Sequence, residues 1–297
     1  MLHRYANDQW RDKYLKPLVD GEVFPSFGMT EPEVASSDPT QLQTKAELDG
    51  DQWVINGRKW FTSGAGNAAY TTVMVRTEFD APDHSAFSMI VVPTDTQGYN
   101  IIRDVKVMGQ ADGHYEVVYD NVRVPKENLL GPRGQGFKIA QDRLGPGRIF
   151  HCMRWLGQAQ RAFDLMCNRA NNRVAFGKPL GQHQQIQKFI FDTAAEIQAS
   201  RLLTLHAAQK IDQGDEARIE IGLIKVYGAS MLHNAIDRAI QVHGALGVTE
   251  DTPLERMYRH ARYARIYDGA DEVHVMNTAR RILRTYGSGD SFDFGLR

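Results

Sequence analysis

The sequence of 297 residues predicts an α+β fold, in which a β-barrel-like domain is followed by an antiparallel helical bundle. Short runs rich in β-branched and aromatic residues recur between positions 23 and 131, separated by turn-forming clusters. From Phe137 onward, apolar residues recur with a helical period in segments that end at glycines. The length also suits two domains better than one.

The first element is predicted to be an amphipathic helix over Tyr5–Val19, with Trp10, Tyr14 and Leu15 on a common side and Gly21 as its stop. Short strands are predicted after it. They are Thr44–Leu48, Gln52–Ile55, Lys59–Thr62, Tyr70–Val75, Phe87–Val92, Ile101–Val107 and Tyr115–Val124. Asn56-Gly57 is predicted to form a type I′ turn between the second and third strands, because both residues tolerate positive φ.

The strand over Lys59–Thr62 carries side chains that suit a ligand. Strand alternation puts Trp60 and Thr62 on one face and Phe61 on the other. An indole beside a hydroxyl suits a planar heteroaromatic ligand, since one group stacks and the other forms a hydrogen bond. An ordinary hairpin with a buried tryptophan is the plainer interpretation.

The bundle is predicted from a helical period in four or five segments. The first runs from Phe137, the second ends near Gly214, the third closes at Gly244, the fourth starts at Asp251-Thr252-Pro253, and the last spans Asp271–Tyr286. The fourth is predicted to stop at Asp268-Gly269. Short loops between antiparallel helices are typical of a bundle.

Composition excludes several functional classes. With 35 Lys+Arg against 36 Asp+Glu, the net charge of −1 gives no electrostatic case for nucleic acid or an anionic membrane as partner. No apolar run is long enough to span a bilayer, and residues 1–20 show no targeting segment. We therefore expect a cytoplasmic protein, or a mitochondrial or peroxisomal one in a eukaryote. The ten histidines and two cysteines show no metal-ligand spacing, so no metal site is predicted.

The order of three motifs, MTEP, SSD and INGRKWFTSG, resembles the flavin-binding middle domain of the acyl-CoA dehydrogenase family. The resemblance implies that FAD is the cofactor. It implies that Met29 and Thr30 meet the pyrimidine edge, that Trp60 and Phe61 lie at the flavin, and that the Thr62 hydroxyl meets N5. It also directs Ser36 and Ser37 toward FAD or the CoA arm. Many members have a short Gly-Ala-Gly-type loop where this chain has Glu33-Val34-Ala35-Ser36, so the contact of each serine stays open.

The segment RHARYARIYDGADEVH resembles the family's segment around its catalytic base, which implies that Asp268 is the base. Most members have Glu there. Some members instead carry the base on the first bundle helix, just before an Arg. In this chain the residue before Arg148 is Gly147, which has no side chain that could act as a base. The resemblance directs Arg148 and Gly269 toward the substrate. The plainer interpretations are a helix-capping aspartate and a surface ion pair.

Two further bundle segments, NRVAFGKPLGQHQQIQ and QVHGALG, resemble segments that hold the FAD of a neighbouring subunit. The implied contacts with the pyrophosphate and adenosine are Arg173, Phe176, His183, Gln184, Gln241, Gly244 and Ala245. A homodimer or tetramer is therefore expected. Taken singly, each segment is also explained by a surface arginine or a helix closed by glycine.

The resemblance implies FAD-dependent α,β-dehydrogenation of an acyl-CoA, with an electron-transfer flavoprotein as acceptor. The motif LGPGRI at 144–149 is typical of members fused to an aminoglycoside-phosphotransferase-like domain. Residues 1–22 resemble the last helix of an otherwise missing N-terminal domain, residues 23–131 the flavin-binding domain and 132–297 the bundle. This chain alone is therefore expected to bind FAD but to turn over acyl-CoA poorly. The alternatives are a flavin oxidase resembling nitroalkane oxidase, which also uses Asp as base, and a non-catalytic truncated subunit.

Overall fold

The computed structural model of the protein describes residues 1–294 and divides into two compact units, Met1–Arg143 and the part from Leu144 onward. The first unit is built on a β-sheet and the second on helices, which confirms the predicted α+β class. The finer predicted domain boundaries stay predictions. Within the described residues, no helix combines the length and apolar character needed to cross a bilayer.

The N-terminal segment is helical, but a break divides the single helix that the sequence predicts. Helix α1 spans Leu2–Tyr5. The Asn7 side chain then accepts a hydrogen bond from the Trp10 N–H at 2.9 Å and so caps a second helical stretch. That stretch consists of α2 (Asp8–Trp10), a π-helical turn (Arg11–Leu15) and α3 (Lys16–Val19). The prediction missed the break because an asparagine can serve as a cap or as an interior residue.

Eight strands form one mixed sheet in the first unit, in the order β6-β7-β3-β2-β4-β5-β8, with β1 parallel to β4. The strands are β1 (Pro25–Gly28), β2 (Lys45–Asp49), β3 (Gln52–Ser63), β4 (Tyr70–Arg76), β5 (Phe87–Pro93), β6 (Tyr99–Asp104), β7 (His114–Pro125) and β8 (Leu129–Leu130). Every predicted β-rich run overlaps one of them. Pairing is mainly antiparallel, as expected for strands joined by short turns.

Strand β3 is continuous for 12 residues, where the sequence predicts two strands and a turn. Its pairing with β7 shifts register between Ile55 and Gly57, where Asn56 faces both Asp120 and Asn121, so the extra residue lies on β7. Asn56-Gly57 is part of a continuous strand, and the type I′ prediction is wrong. Gly57 has φ +150°, and a Cβ there would lie 2.5 Å from the Thr44 Oγ1. Strand β3 therefore runs through the asparagine–glycine pair, because pairing with β7 continues on both sides.

The second unit is a bundle of long helices. They are α4 (Gly136–Asn172, whose first turns belong to the first unit), α5 (Gln184–Asp212), α6 (Arg218–His243), α7 (Leu254–Ala264) and α8 (Asp271–Gly287). A hairpin of β9 (Val174–Ala175) and β10 (Lys178–Pro179) follows α4. Gly244 at φ +63° closes α6 as predicted, whereas α7 ends at Ala264, before the predicted stop. Helix α6 approaches α8 closely, since a Cβ on Gly222 would lie 2.0 Å from the Thr278 Oγ1.

Candidate active site

A bulge in β3 shapes the candidate ligand platform of the first unit. The register with β7 shifts between Lys59 and Thr62, and Phe61 adopts φ +50°. The Trp60 N–H leaves the strand ladder and donates to the Thr30 carbonyl at 3.0 Å. Strict alternation is not kept here, so the predicted common face of Trp60 and Thr62 does not follow from strand geometry. The bulge instead connects the tryptophan directly to the loop that carries Thr30.

Two buried polar atoms on this platform lack partners. Among residues 1–294, neither the Trp60 Nε1 nor the Thr62 Oγ1 has a hydrogen-bond partner, although both are buried. An unsatisfied buried polar group costs about 1–3 kcal/mol, so such atoms call for a functional explanation. A heteroaromatic ligand with ring nitrogens would satisfy both groups. The donor set therefore fits a planar cofactor of that chemistry.

A buried ion pair holds the loop beside the platform. The Lys59 Nζ lies 2.7 Å from the Glu31 Oε1 and donates to the Met29 carbonyl at 2.9 Å. Glu31 also accepts from the backbone N–H groups of Gln43 and Thr44, at 2.7 and 2.9 Å. The Lys59 side chain is 0% exposed and that of Glu31 is 2% exposed. This pair fixes residues 29–31 against β3.

Burial and the partner charge act in opposite directions on this pair. Burial lowers the pKa of Lys59 to about 8, against the attraction of Glu31. Burial alone would raise the pKa of Glu31, but Lys59 and the surrounding donors outweigh it and leave that pKa below its ordinary value. A lowered carboxyl pKa is the direction expected for an ionised partner, so we treat the pair as charged.

The two predicted serine contacts lie near this loop. The Ser36 hydroxyl accepts from the Glu31 N–H at 3.0 Å and donates to the Glu31 carbonyl at 3.3 Å. Its visible contacts are therefore internal to the loop. Ser37 is exposed, and Met29 and Thr30 are half-buried. The part played by either serine toward a ligand stays a prediction.

The candidate base of the second unit lies between α7 and α8. Asp268 has φ +52°, an uncommon backbone conformation for a non-glycine residue that suggests a functional constraint. Its carbonyl accepts from the Arg148 Nε at 2.9 Å and from the His274 Nε2 at 3.2 Å. A Cβ on the following residue, Gly269, would lie 2.5 Å from the same His274 nitrogen. The junction thus requires glycine at 269 and holds Asp268 from two helices.

The carboxylate of Asp268 has its own partner. The His151 Nε2 lies 2.6 Å from the Asp268 Oδ2, and the two side chains are 20% and 21% exposed. Both side chains are therefore partly accessible. A carboxylate held in this way can accept a proton from a carbon acid.

A buried lysine stabilises the same junction from α6. The Lys225 Nζ donates to the carbonyls of Ala264 and Gly269 at 2.8 and 2.9 Å, and its side chain is 0% exposed. Burial lowers the pKa of Lys225 to about 8, against the attraction of Asp271 and Asp268. Burial also lowers the pKa of His274, to about 4, so this imidazole is neutral near pH 7.

The remaining predicted residues lie elsewhere in the second unit. Phe176 is at the tip of the β9–β10 hairpin with φ +52° and is 96% exposed. The His183 Nε2 donates to the Ala175 carbonyl at 3.2 Å. The others are solvent-exposed, and they are Arg173, Gln184, Gln241, Gly244 and Ala245. The structure therefore leaves these surfaces accessible to a ligand or a second chain.

Sequence reasoning missed His151, Lys225 and the Lys59–Glu31 pair. A weak signal for Lys225 existed, because it is a lone charge in the apolar stretch Ile221–Met231. For His151 the only signal was its place one helical turn after Arg148. Neither pattern identifies a partner.

Family models describe both units. The model of the acyl-CoA dehydrogenase middle domain matches residues 26–122, and that of the acyl-CoA dehydrogenase C-terminal domain matches residues 134–283. "Probable acyl-CoA dehydrogenase FadE2" of Mycobacterium tuberculosis is 51% identical over 95% of this chain and 71% of its own length. Acyl-CoA dehydrogenase family member 11 of Rattus norvegicus is 43% identical over 96% of this chain. This chain spans only 38% of that rat relative.

Solved structures give the same result. An acyl-CoA dehydrogenase structure from Mycobacterium abscessus matches with a TM-score of 0.93 and 41% identity, over 96% of this chain and 72% of its own. A glutaryl-coenzyme A dehydrogenase in complex with glutaryl-CoA matches with a TM-score of 0.90 and 29% identity, over 95% and 72% of the two chains. PigA with FAD and proline matches with a TM-score of 0.88 and 25% identity, over 94% and 73%.

Proposed function

The chain belongs to the acyl-CoA dehydrogenase family, and from this premise we propose that it binds FAD and an acyl-CoA thioester and that Asp268 removes the α-proton of the acyl group. The observation that carries the proposal is the Asp268 carboxylate, held by His151 at a junction with φ +52°. Solved relatives with glutaryl-CoA and with FAD support the two ligand classes. An electron-transfer flavoprotein is the proposed acceptor.

The residues of the first unit would bind the isoalloxazine ring. The unpartnered Thr62 Oγ1 and Trp60 Nε1 would supply a hydroxyl and an indole N–H, and Thr30 would approach the pyrimidine edge. Lys59 and Glu31 keep the Met29–Glu31 loop in place for this contact. When bound, FAD supplies the hydride acceptor for the β-hydrogen of the acyl group.

The residues of the second unit would handle the proton. Asp268 accepts the α-proton, so its ionised form is required. Arg148 and His274 hold its backbone carbonyl, and Lys225 holds the carbonyl of Gly269. These three contacts from α4, α6 and α8 fix the position of the junction. An aspartate base needs this because its side chain is one methylene shorter than that of glutamate.

The Thr62→Val variant tests the flavin platform. It replaces an unsatisfied buried hydroxyl with a methyl group, so the free energy of unfolding of the FAD-free protein should stay equal or rise. The same variant should bind FAD roughly three- to tenfold more weakly, since one net hydrogen bond is worth about 0.5–1.5 kcal/mol. Denaturant unfolding and fluorescence titration with FAD measure the two effects.

A Thr96→Val variant at a half-buried position of the same unit is the matched control and should change neither quantity. FAD affinity in Thr62→Val equal to that of the unmodified protein would contradict the assignment of this platform.

Association of chains should depend on FAD if the exposed bundle surfaces hold the cofactor of a neighbour. Phe176 is 96% exposed, and an apolar ring of that exposure is expected to gain by burial in an interface. We expect sedimentation velocity to show a dimer or tetramer that is favoured by FAD, and Phe176→Ala to weaken both association and FAD affinity. Phe79→Ala, at a ring 51% exposed in the first unit, is the control. A monomer with full FAD occupancy would count against this arrangement.

A further inference from the structure

We infer that His151, fixed by Arg154, is a positioning residue that holds the Asp268 carboxylate ionised and in one orientation. The inference rests on the proposed role of Asp268 as the base. It adds a partner that acts through that base. The three side chains form one chain of contacts, from the Arg154 guanidinium to the His151 Nδ1 and from the His151 Nε2 to the Asp268 Oδ2.

The Arg154 contact determines the tautomer of His151. A guanidinium group has only donors, so the His151 Nδ1 beside it must be the acceptor. A neutral imidazole carries one N–H, which is then on Nε2. That N–H donates to the Asp268 Oδ2 across 2.6 Å, and a short separation is expected when the acceptor oxygen is charged. The geometry therefore describes a neutral histidine donating to an ionised aspartate.

Aromatic neighbours hold the His151 ring in this orientation. The Trp155 ring lies 5.9 Å away at an interplanar angle of 22°, and the Tyr267 ring lies 4.7 Å away. The Trp155 Nε1 donates to the Tyr267 hydroxyl at 2.8 Å, which ties the two rings together. A ring flip would place ring carbons at the positions of the two histidine nitrogens and break both polar contacts. His151 is thus pre-oriented, and it restricts where the Asp268 carboxylate can point.

The charge environment favours the same state. The ionisable groups around the dyad are Arg148 and Arg154 on α4, Lys225 on α6, Tyr267 in the junction, and Asp271 and His274 on α8. The cations Arg148, Arg154 and Lys225 favour the anion on Asp268. A hydrogen bond to the ionised carboxylate favours that form further. Loss of His151 removes this bond but leaves the cations in place.

The test uses His151→Leu, His151→Gln and a His206→Leu control on α5. Flavin reduction by saturating acyl-CoA is followed anaerobically across a pH series in the FAD-loaded chain, and acyl-CoA affinity is measured separately. His151→Leu should slow reduction roughly ten- to hundredfold, the range for a hydrogen bond to a charged group. The acidic limb of its pH profile should move to higher pH, because the ionised base loses a stabilising donor. Acyl-CoA affinity should change little.

His151→Gln retains an amide donor near the position of Nε2 and should restore most of the rate and the position of the acidic limb. His206→Leu should match the unmodified chain. A rate loss in His151→Leu without movement of the limb would assign His151 to packing alone and overturn the proposal. So would a His151→Gln variant as slow as His151→Leu, or a His151→Leu variant as fast as the unmodified chain.

Nitrogen-15 NMR of the histidines gives a readout independent of turnover. We expect the His151 signals, assigned by their loss in His151→Gln, to show a proton on Nε2 and none on Nδ1 at neutral pH. Arg154→Met removes the donor beside Nδ1, so part of the His151 population should then carry its proton on Nδ1. A proton on Nδ1 in the unmodified chain would overturn the inference even if Asp268 is the base. Rapid flavin reduction by Asp268→Asn would refute the base assignment and leave the NMR result standing.

Discussion

Asp268→Asn should bind acyl-CoA normally and reduce flavin about 10²–10⁴-fold more slowly, the usual cost of removing a general base. Asparagine keeps the size of the side chain and an oxygen that can accept from His151. It also tolerates the φ of +52° at this position better than most residues. The junction should therefore stay folded, and only the proton acceptor should be lost. Anaerobic stopped-flow measurement of flavin absorbance gives the rate.

Asp212→Asn is the matched control for this change. It removes one carboxylate at an exposed position at the end of α5 and should reduce flavin at the unmodified rate. If Asp268→Asn is as fast as that control, another group removes the α-proton, and Asp268 is a capping residue.

Lys59→Met should lower the free energy of unfolding by about 3–5 kcal/mol, because it leaves the Glu31 carboxylate buried without its cation. The Met29–Glu31 loop should loosen with it, since Lys59 also donates to the Met29 carbonyl. FAD affinity should then fall with stability. Chemical denaturation of the FAD-free protein and FAD titration check the two effects.

Lys45→Met provides the comparison for that variant. Lys45 pairs with Glu47 on the same sheet at 3.3 Å, but the two side chains are 47% and 56% exposed, so the expected loss is about 0–1 kcal/mol. Equal losses in the two variants would contradict a structural role for the buried pair.

Local capping chemistry made the ends of the bundle helices predictable. Gly244 closes α6 and Asp271 begins α8 as the sequence predicts, because a glycine at positive φ and an acidic first turn act within a few residues of the chain. The break at Asn7 and the early end of α7 at Ala264 were missed. At these points the same local sequence is compatible with more than one backbone conformation, and packing against the rest of the chain determines which one forms.

Contacts between distant parts of the chain determine features that local sequence patterns do not predict. Asn56-Gly57 has the composition of a tight turn, yet β3 continues through it because its pairing with β7 persists on both sides. Likewise, His151 and Asp268 are 117 residues apart, and no periodicity in either segment indicates their contact. The resemblance to the family led to Asp268, Trp60 and Thr62, while their partners and unpartnered atoms became visible only in the folded chain.

Acyl-CoA-dependent bleaching of bound flavin tests the central claim most directly. The purified chain is loaded with FAD, freed of excess cofactor and mixed anaerobically with acyl-CoAs of several lengths while its visible spectrum is recorded. We predict a yellow protein whose flavin absorbance falls on addition of at least one acyl-CoA, with the 2-enoyl-CoA formed in equal amount. A protein that stays colourless after exposure to FAD, or a bound flavin that no acyl-CoA reduces, would contradict the account.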